Sequence, residues 1–169
     1  WIPWKLKKDG SIPTSGEILS PYGIWIAEVM LQQTQLKVVI PYWQKWMKFF
    51  PTLNSLTKSE LKNVLMIWQG LGYYSRANRI HQAAKILLEF VDRNKDQDPH
   101  SWPNGIDQWM SLPGIGRSTA GSIISSSFNL PTPILDGNVK RIFSRLLANE
   151  KPASKDEKRL WELSSILIS

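Results

Sequence analysis

The chain contains no cysteine. Disulfides and thiolate metal sites are therefore excluded within it, and a reducing compartment is compatible with the composition. No apolar run approaches the ~20 residues of a membrane span, and no secretory signal is visible. Acidic residues are in deficit, with 14 Asp and Glu against 21 Lys and Arg, a formal charge of +7. That excess favours a polyanionic partner and steers association with it, although many basic proteins bind no nucleic acid. Neither His81 nor His100 has a partner at metal-ligand spacing. His81 is expected on a solvated helix face and His100 in a loop. No nucleophile elbow or Walker loop occurs. The chain begins at Trp1 rather than Met, and an N-terminal part is expected to be missing.

What is present can build a core. A length of 169 residues suits one domain, or two small lobes sharing a cleft. Most of the nine tryptophans are expected inside, a minority stacking on bases or lining a cleft. The pattern reads as all-α. Residues 5–22, with Gly10, Pro13, Gly16 and Pro21, read as an exposed loop. Residues 24–37 are apolar on nearly every face and suit a buried helix. Pro41 marks a break or a first helical turn, and Tyr42, Trp43, Trp46, Phe49 and Phe50 give the next helix its apolar side. Thr57-Lys-Ser-Glu60 fits a capping box ahead of Leu61, Val64, Leu65 and Trp68. Gly70 and Gly72 end that helix. A long helix over about 74–92 follows, then a polar connection over 93–105, and short helices near 106–111 and 117–127. Pro131 and Pro133 force an extended approach to Asp136. A helix over 137–147 is expected to turn Val139, Ile142, Phe143 and Leu146 inward, and Ser154-Lys-Asp-Glu157 is a second capping box before a last helix. No internal repeat and no alternating strand stands out.

The most informative stretch is Leu112-Pro-Gly-Ile-Gly-Arg-Ser-Thr-Ala-Gly121. Gly114 and Gly116 would let backbone amides face a phosphate, and the helix start after them adds positive potential. The bland alternative is a tight turn between core helices. In Ile134-Leu-Asp-Gly-Asn-Val-Lys-Arg141, Asp136 opens a helical pattern. Most such aspartates are plain N-caps. The same place favours the anion, which can stabilise a cationic sugar formed as a glycosidic bond breaks. Glu28 sits in the very apolar Ile24-Trp-Ile-Ala-Glu-Val-Met-Leu31. Either a salt bridge at the core edge compensates it, or burial raises its pKa and makes it a general acid. Gln32, Gln33, Thr34 and Gln35 can hydrogen-bond base edges or cap a helix end. Gly70-Leu-Gly-Tyr-Tyr-Ser-Arg-Ala77 can contact a nucleobase and backbone, or join two helices through packed tyrosines.

Together with Glu28-Val-Met-Leu-Gln-Gln-Thr-Gln35, these motifs resemble those of the MutY-type adenine DNA glycosylases, of the helix-hairpin-helix superfamily that also contains endonuclease III. The resemblance runs from Ile2-Pro-Trp4 almost to the end. It implies removal of adenine mispaired with 8-oxoguanine or guanine in duplex DNA. It implies that the adenine is flipped out, that Glu28 protonates its N7, that Asp136 stabilises the oxocarbenium-like sugar, and that Asn138 helps hold this acid site. Leu31 would line the adenine pocket. Gln33, Thr34, Leu71 and Tyr73 would enter the duplex and meet the opposing guanine, and Gly114, Gly116, Arg117 and Thr119 would hold phosphate. Enzymes of the superfamily that also cleave the strand carry a lysine where this chain has Ser118, and serine cannot form their imine. The implied enzyme is monofunctional, monomeric and free of membrane, located in the cytoplasm or nucleoid of a bacterium or otherwise wherever the genomic DNA lies.

The family normally continues into a four-cysteine [4Fe-4S] loop and a C-terminal domain that reads 8-oxoguanine. Both are expected to be absent here, as are a leading helix and an arginine near the base pocket, and the loop at 5–22 is longer than usual. No cofactor or metal is expected in this chain. The organisation expected is a segment and loop over 1–22, a helical lobe over 23–135 containing the hairpin at about 106–127, and helices over 136–169 returning toward a truncated second lobe. An endonuclease III-like pyrimidine glycosylase/lyase, or an inactive DNA-binding helical module, stands as the alternative.

Overall fold

Helix α1, Pro21–Leu31, concentrates the apolar composition and forms the centre of the molecule. Proline suits its first turn, because the N–H it lacks has no intrahelical acceptor there. Ile24, Trp25, Ile26 and Ala27 are wholly buried, and Val29 and Met30 nearly so. A helix apolar on every side must be surrounded, and this one is. The computed structural model describes residues 2–7, 9–14, 17–94, 101–147 and 156–168. A single 3₁₀ turn, Pro3–Lys5, precedes α1. After it come α2 (Leu36–Phe49), α3 (Leu53–Thr57), α4 (Leu61–Trp68), α5 (Ser75–Asn94), α6 (Ile106–Met110), α7 (Arg117–Phe128), α8 (Gly137–Leu146) and α9 (Glu157–Ile166). No strand occurs among the described residues, and the all-α expectation holds.

Helix α1 packs chiefly on α7, and also on α2, α5 and the 3₁₀ turn. Helix α5 backs α3 and α4, α6 lies on α7, and α8 pairs with α9. Tryptophan supplies much of the interior. Trp25, Trp46, Trp68 and Trp109 are fully buried. Trp46 meets Trp68 edge to face at 5.8 Å, and Trp102 stacks on Trp109 at 6.2 Å. The indole N–H groups of Trp46, Trp68 and Trp109 are satisfied, whereas Trp25 Nε1 has no hydrogen-bond partner among the described residues. Trp46 Nε1 donates to Tyr22 Oη (3.2 Å), which donates to the Phe50 carbonyl (2.7 Å), and Trp109 Nε1 donates to the Pro103 carbonyl (2.7 Å).

Several local expectations are corrected. The helix expected over 24–37 ends at Leu31, residues 32–35 form a turn, and α2 starts at Leu36. Pro41 neither breaks nor begins α2 but lies inside it. The carbonyl it deprives of a donor belongs to exposed Lys37, where water can serve. The box at Thr57–Glu60 does not form. Thr57 ends the short helix α3, which has its own box between Thr52 and Ser55, and Glu60 precedes α4 with no side-chain cap. The exposed loop stops at Ser20, and Leu19 within it is buried. His81 is 8 % exposed rather than solvated, and its Nε2 donates to the Ser59 carbonyl (2.9 Å). No residue of α8 is buried. Ile142 and Leu146 are 52 % and 74 % exposed, because α9 is the helix that packs on α8 and leaves these two side chains uncovered. His100 and Ser154 lie outside the described residues.

Candidate active site and nucleic-acid interface

The hairpin between α6 and α7 is anchored from inside. Leu112 and Ile115 are 5 % and 6 % exposed and belong to the core. Gly114, between them, has φ +82°, and a Cβ there would lie 2.9 Å from Arg79 Cδ. Conformation and space both demand glycine at this point. Gly116 is the N-cap of α7 and provides no side-chain cap, and a Cβ on it would meet nothing within 4 Å. The first amides of α7 therefore open outward past a bare glycine, a ready anion site. Gly116→Val is expected to cost the free protein only about 1 kcal/mol, the ordinary difference between glycine and valine at an N-cap, and to weaken duplex binding at every sequence. Equal affinity for duplex DNA in titrations of the two proteins would remove the hairpin from the interface.

Arg117 and Thr119 serve more than the hairpin. The Arg117 guanidinium lies 4.1 Å from the ring centre of Trp161, tying α7 to α9. Gln32 Nε2 donates to the Gly114 carbonyl (3.2 Å) and to Thr119 Oγ1 (3.4 Å), fastening the 32–35 turn to the hairpin.

Beside the hairpin runs a cleft of about 680 Å³, walled by the end of α1, the 32–36 turn, α7 and residues 134–138. It brings together Glu28, Leu31, Gln33, Thr34, Ser118, Thr119, Asp136 and Asn138. Leu71, Tyr73, Gly114, Gly116 and Arg117 do not line it. The expectation that Leu71 enters a duplex is corrected: it is 6 % exposed and packs in the core. Tyr73, two residues on, is 60 % exposed.

Glu28 reaches the cleft from the most buried helix. Burial pushes its carboxyl above the ordinary 4.5, the Ser122 hydroxyl and the Lys5 cation pull it down, and the Asp136 carboxylate pushes it up. Lys5 donates its hydrogen bond to Ser126, one helical turn beyond Ser122 on α7. A folded-state pKa above the unfolded one means that the folded protein holds the extra proton. The stability linked to Glu28 is thus fullest below 4.5 and is lost as pH rises through its raised value. Glu28→Gln is accordingly expected to raise the melting temperature at neutral and alkaline pH, with the gain vanishing toward about pH 4. Melts across pH would refute this if the variant were the less stable protein at pH 8.

Asp136 is the N-cap of α8, and its Oδ1 accepts the Val139 N–H at 2.8 Å. It is exposed and lines the cleft. The extended strap before it is docked at several points. Ser118 Oγ accepts the Leu135 N–H (2.9 Å), Thr132 Oγ1 donates to the Gly121 carbonyl (2.8 Å), and Ser164 Oγ donates to the Ile134 carbonyl (2.7 Å). Gly121 allows the approach, since a Cβ there would sit 2.7 Å from the Pro133 carbonyl oxygen. Asn138 Oδ1 accepts from Arg141 Nη2 at 2.5 Å. Sequence reasoning missed Ser122, although its spacing of four from Ser118 puts both on one face of α7. Nothing in the local sequence pointed to Lys5.

A family model described as HhH-GPD superfamily base excision DNA repair protein matches residues 26–165. The chain belongs to this superfamily. The adenine DNA glycosylase of Buchnera aphidicola subsp. Baizongia pistaciae is 44 % identical over 161 residues, covering 95 % of this chain and 41 % of the relative. The adenine DNA glycosylase of Homo sapiens is 34 % identical over 169 residues, covering 99 % of this chain and 29 % of the relative. The chain thus spans about two fifths or less of the length of these relatives. Among solved structures, an endonuclease III in a non-covalent DNA complex matches with TM-score 0.69 at 23 % identity, over 86 % of this chain and 70 % of that one. A thermostable thymine-DNA glycosylase matches with TM-score 0.72 at 21 % identity, over 89 % and 67 %. These two likenesses show the HhH-GPD fold. An iron–sulfur cluster takes thiolate ligands. With no cysteine in the chain, its residues do not fit one.

Proposed function

We propose that this chain is the catalytic core of a monofunctional adenine DNA glycosylase, acting on adenine opposite 8-oxoguanine or guanine in duplex DNA. The observation that carries the reading is the single cleft holding both the raised Glu28 carboxyl and the Asp136 carboxylate beside a phosphate-accessible hairpin. Its volume falls within the ~300–1,000 Å³ of ligand sites. The similarity to named adenine DNA glycosylases supports the choice of base.

In this mechanism the adenine turns out of the stack into the cleft, against Leu31. Glu28, whose burial favours the protonated form, donates its proton to N7. The C1′–N9 bond then breaks with its electron pair leaving on the base, and the sugar becomes an oxocarbenium ion. Asp136 lies where that positive charge develops and stabilises it. Water adds at C1′ and gives its proton to the Glu28 carboxylate left by the first step, which restores the acid. Asn138 helps hold the acid side of the cleft, and Gln33, Thr34 and Tyr73 meet the duplex near the opposing guanine. The hairpin at Gly114 and Gly116, with Arg117 and Thr119, holds the phosphates. The partner is duplex DNA, taken by a single copy of the chain. No helix among the described residues is long and apolar enough to cross a membrane.

A lyase step needs an amine at the sugar. Ser118 offers a hydroxyl already engaged by the Leu135 amide. The ammonium of Lys140 pairs with Glu157 at 3.0 Å, and that of Lys5 with Ser126. Borohydride added during turnover is therefore expected to trap little protein–DNA adduct, and the product strand should break only after alkali. Strong trapping that survives replacement of Lys140 would favour the endonuclease III-like alternative.

A further inference from the structure

Positive φ crowds a side chain against its own backbone, so non-glycine residues seldom adopt it. Among the described residues three do: Gln33 (+59°), Tyr73 (+47°) and Asn129 (+54°). Asn129 is the C-cap of α7, a common place for asparagine in that conformation. Gln33 takes the third position of a type II turn closed by the Thr34 N–H on the Leu31 carbonyl (3.2 Å), a place that usually falls to glycine. Tyr73 follows Gly72, itself at +76°. The two lie in separate segments of the chain.

One guanidinium joins those segments. Arg76, on α5, is 5 % exposed. Its Nη1 donates to the carbonyls of Val29 (3.2 Å), Met30 (2.8 Å) and Gln32 (2.5 Å). Its Nη2 donates to Thr34 Oγ1 (3.1 Å) and to the carbonyls of Leu71 and Gly72 (both 3.3 Å). Gln32 and Thr34 flank Gln33, while Leu71 and Gly72 precede Tyr73. The guanidinium also faces the Tyr73 ring at 5.3 Å and the Trp68 ring at 5.2 Å. Val29 and Met30 lie in the last turn of α1, where a cation is favoured; the Val29 carbonyl also accepts the Gln32 N–H (3.3 Å). The charge is thus met by carbonyl dipoles and ring faces, and the planar fork reaches in two directions at once.

We propose that Arg76 is a positioning residue for recognition of the opposing base. It couples the Gln32–Thr34 and Leu71–Tyr73 segments into one rigid wedge, so that Gln33 and Tyr73 reach the duplex in a fixed mutual arrangement. The proposal rests on the adenine-glycosylase reading above. Both side chains are exposed while the backbone beneath them is held, which is what a preorganised contact needs. Without the clamp, each segment can relax its positive φ separately. Glu28 and Asp136 are held by other contacts, through Ser122 and the strap on α7, so the wedge can loosen without dispersing the carboxyls.

Arg76→Lys tests this, because an ammonium keeps the charge but cannot span both segments. Amide hydrogen exchange is measured without DNA. Affinity is measured for two duplexes carrying uncleavable 2′-fluoro-2′-deoxyadenosine, opposite 8-oxoguanine in one and guanine in the other. Exchange is expected to accelerate in both segments together, about tenfold or more, with α7 unchanged. The affinity ratio between the duplexes is expected to fall about tenfold, which a merely structural strut would leave alone. Unaltered exchange in either segment, or loosened segments with a wild-type ratio, overturns the clamp. If the lysine variant does not fold, Thr34→Val decides. It removes one acceptor, and it should speed exchange at Leu71–Tyr73, which Thr34 meets through the guanidinium; no change there overturns the proposal. A wild-type chain that binds both duplexes equally contradicts the adenine reading instead, and the clamp is then decided by the exchange rates alone.

Discussion

Glu28→Gln is expected to slow single-turnover excision by roughly 10²–10⁴-fold, the usual loss for a missing general acid. Duplex affinity should stay near that of wild type, because glutamine keeps the shape of the side chain and can still accept from Ser122. What it lacks is a proton to transfer. The loss should therefore fall on the chemical step and leave binding intact. The pH dependence has a defined sign. Glu28 must be protonated to act, and burial holds its carboxyl above 4.5. The wild-type rate should decline as pH rises through that raised value, and the glutamine variant should lose this decline. Rates like those of the wild type in Glu28→Gln would end the general-acid assignment.

Asp136 carries two duties that one substitution can separate. As an N-cap it satisfies the Val139 amide. As an anion it would stabilise the sugar cation. Serine caps about as well as aspartate but bears no charge. Asp136→Ser is therefore expected to leave the melting temperature almost unchanged while cutting excision by roughly 10²–10³-fold. Asp136→Ala should show the same kinetic loss together with about 0.5–2 kcal/mol of lost stability. Thermal melts and single-turnover rates on the same samples make the comparison. An active serine variant would leave Asp136 as a cap and nothing more.

The sequence disclosed features whose cause is local. Gly114 and Gly116 stood out because their roles depend on backbone conformation and on an absent side chain. Glu28 stood out because a carboxyl among Ile24, Trp25, Ile26 and Val29 has no bland place. The misreadings all depend on what lies opposite. His81 looked solvated because its partner, the Ser59 carbonyl, comes from another element. Apolar spacing cannot reveal that α8 has α9 as its neighbour helix but that Ile142 and Leu146 stay uncovered. The turn after Leu31 is held by Arg76 and Gln32, whose acceptors lie in distant segments. Leu71 was placed toward DNA on resemblance, but its side chain packs inward while neighbouring Tyr73 points out.

The most direct test is single-turnover incubation of the chain with duplex DNA containing adenine opposite 8-oxoguanine, with the released base identified by chromatography. Free adenine is expected, formed at a rate that Glu28→Gln lowers by roughly 10²–10⁴-fold, on a strand that stays whole until alkali is added. Release of a damaged pyrimidine from a control duplex but no adenine, or duplex binding with no base released at all, would contradict this reading.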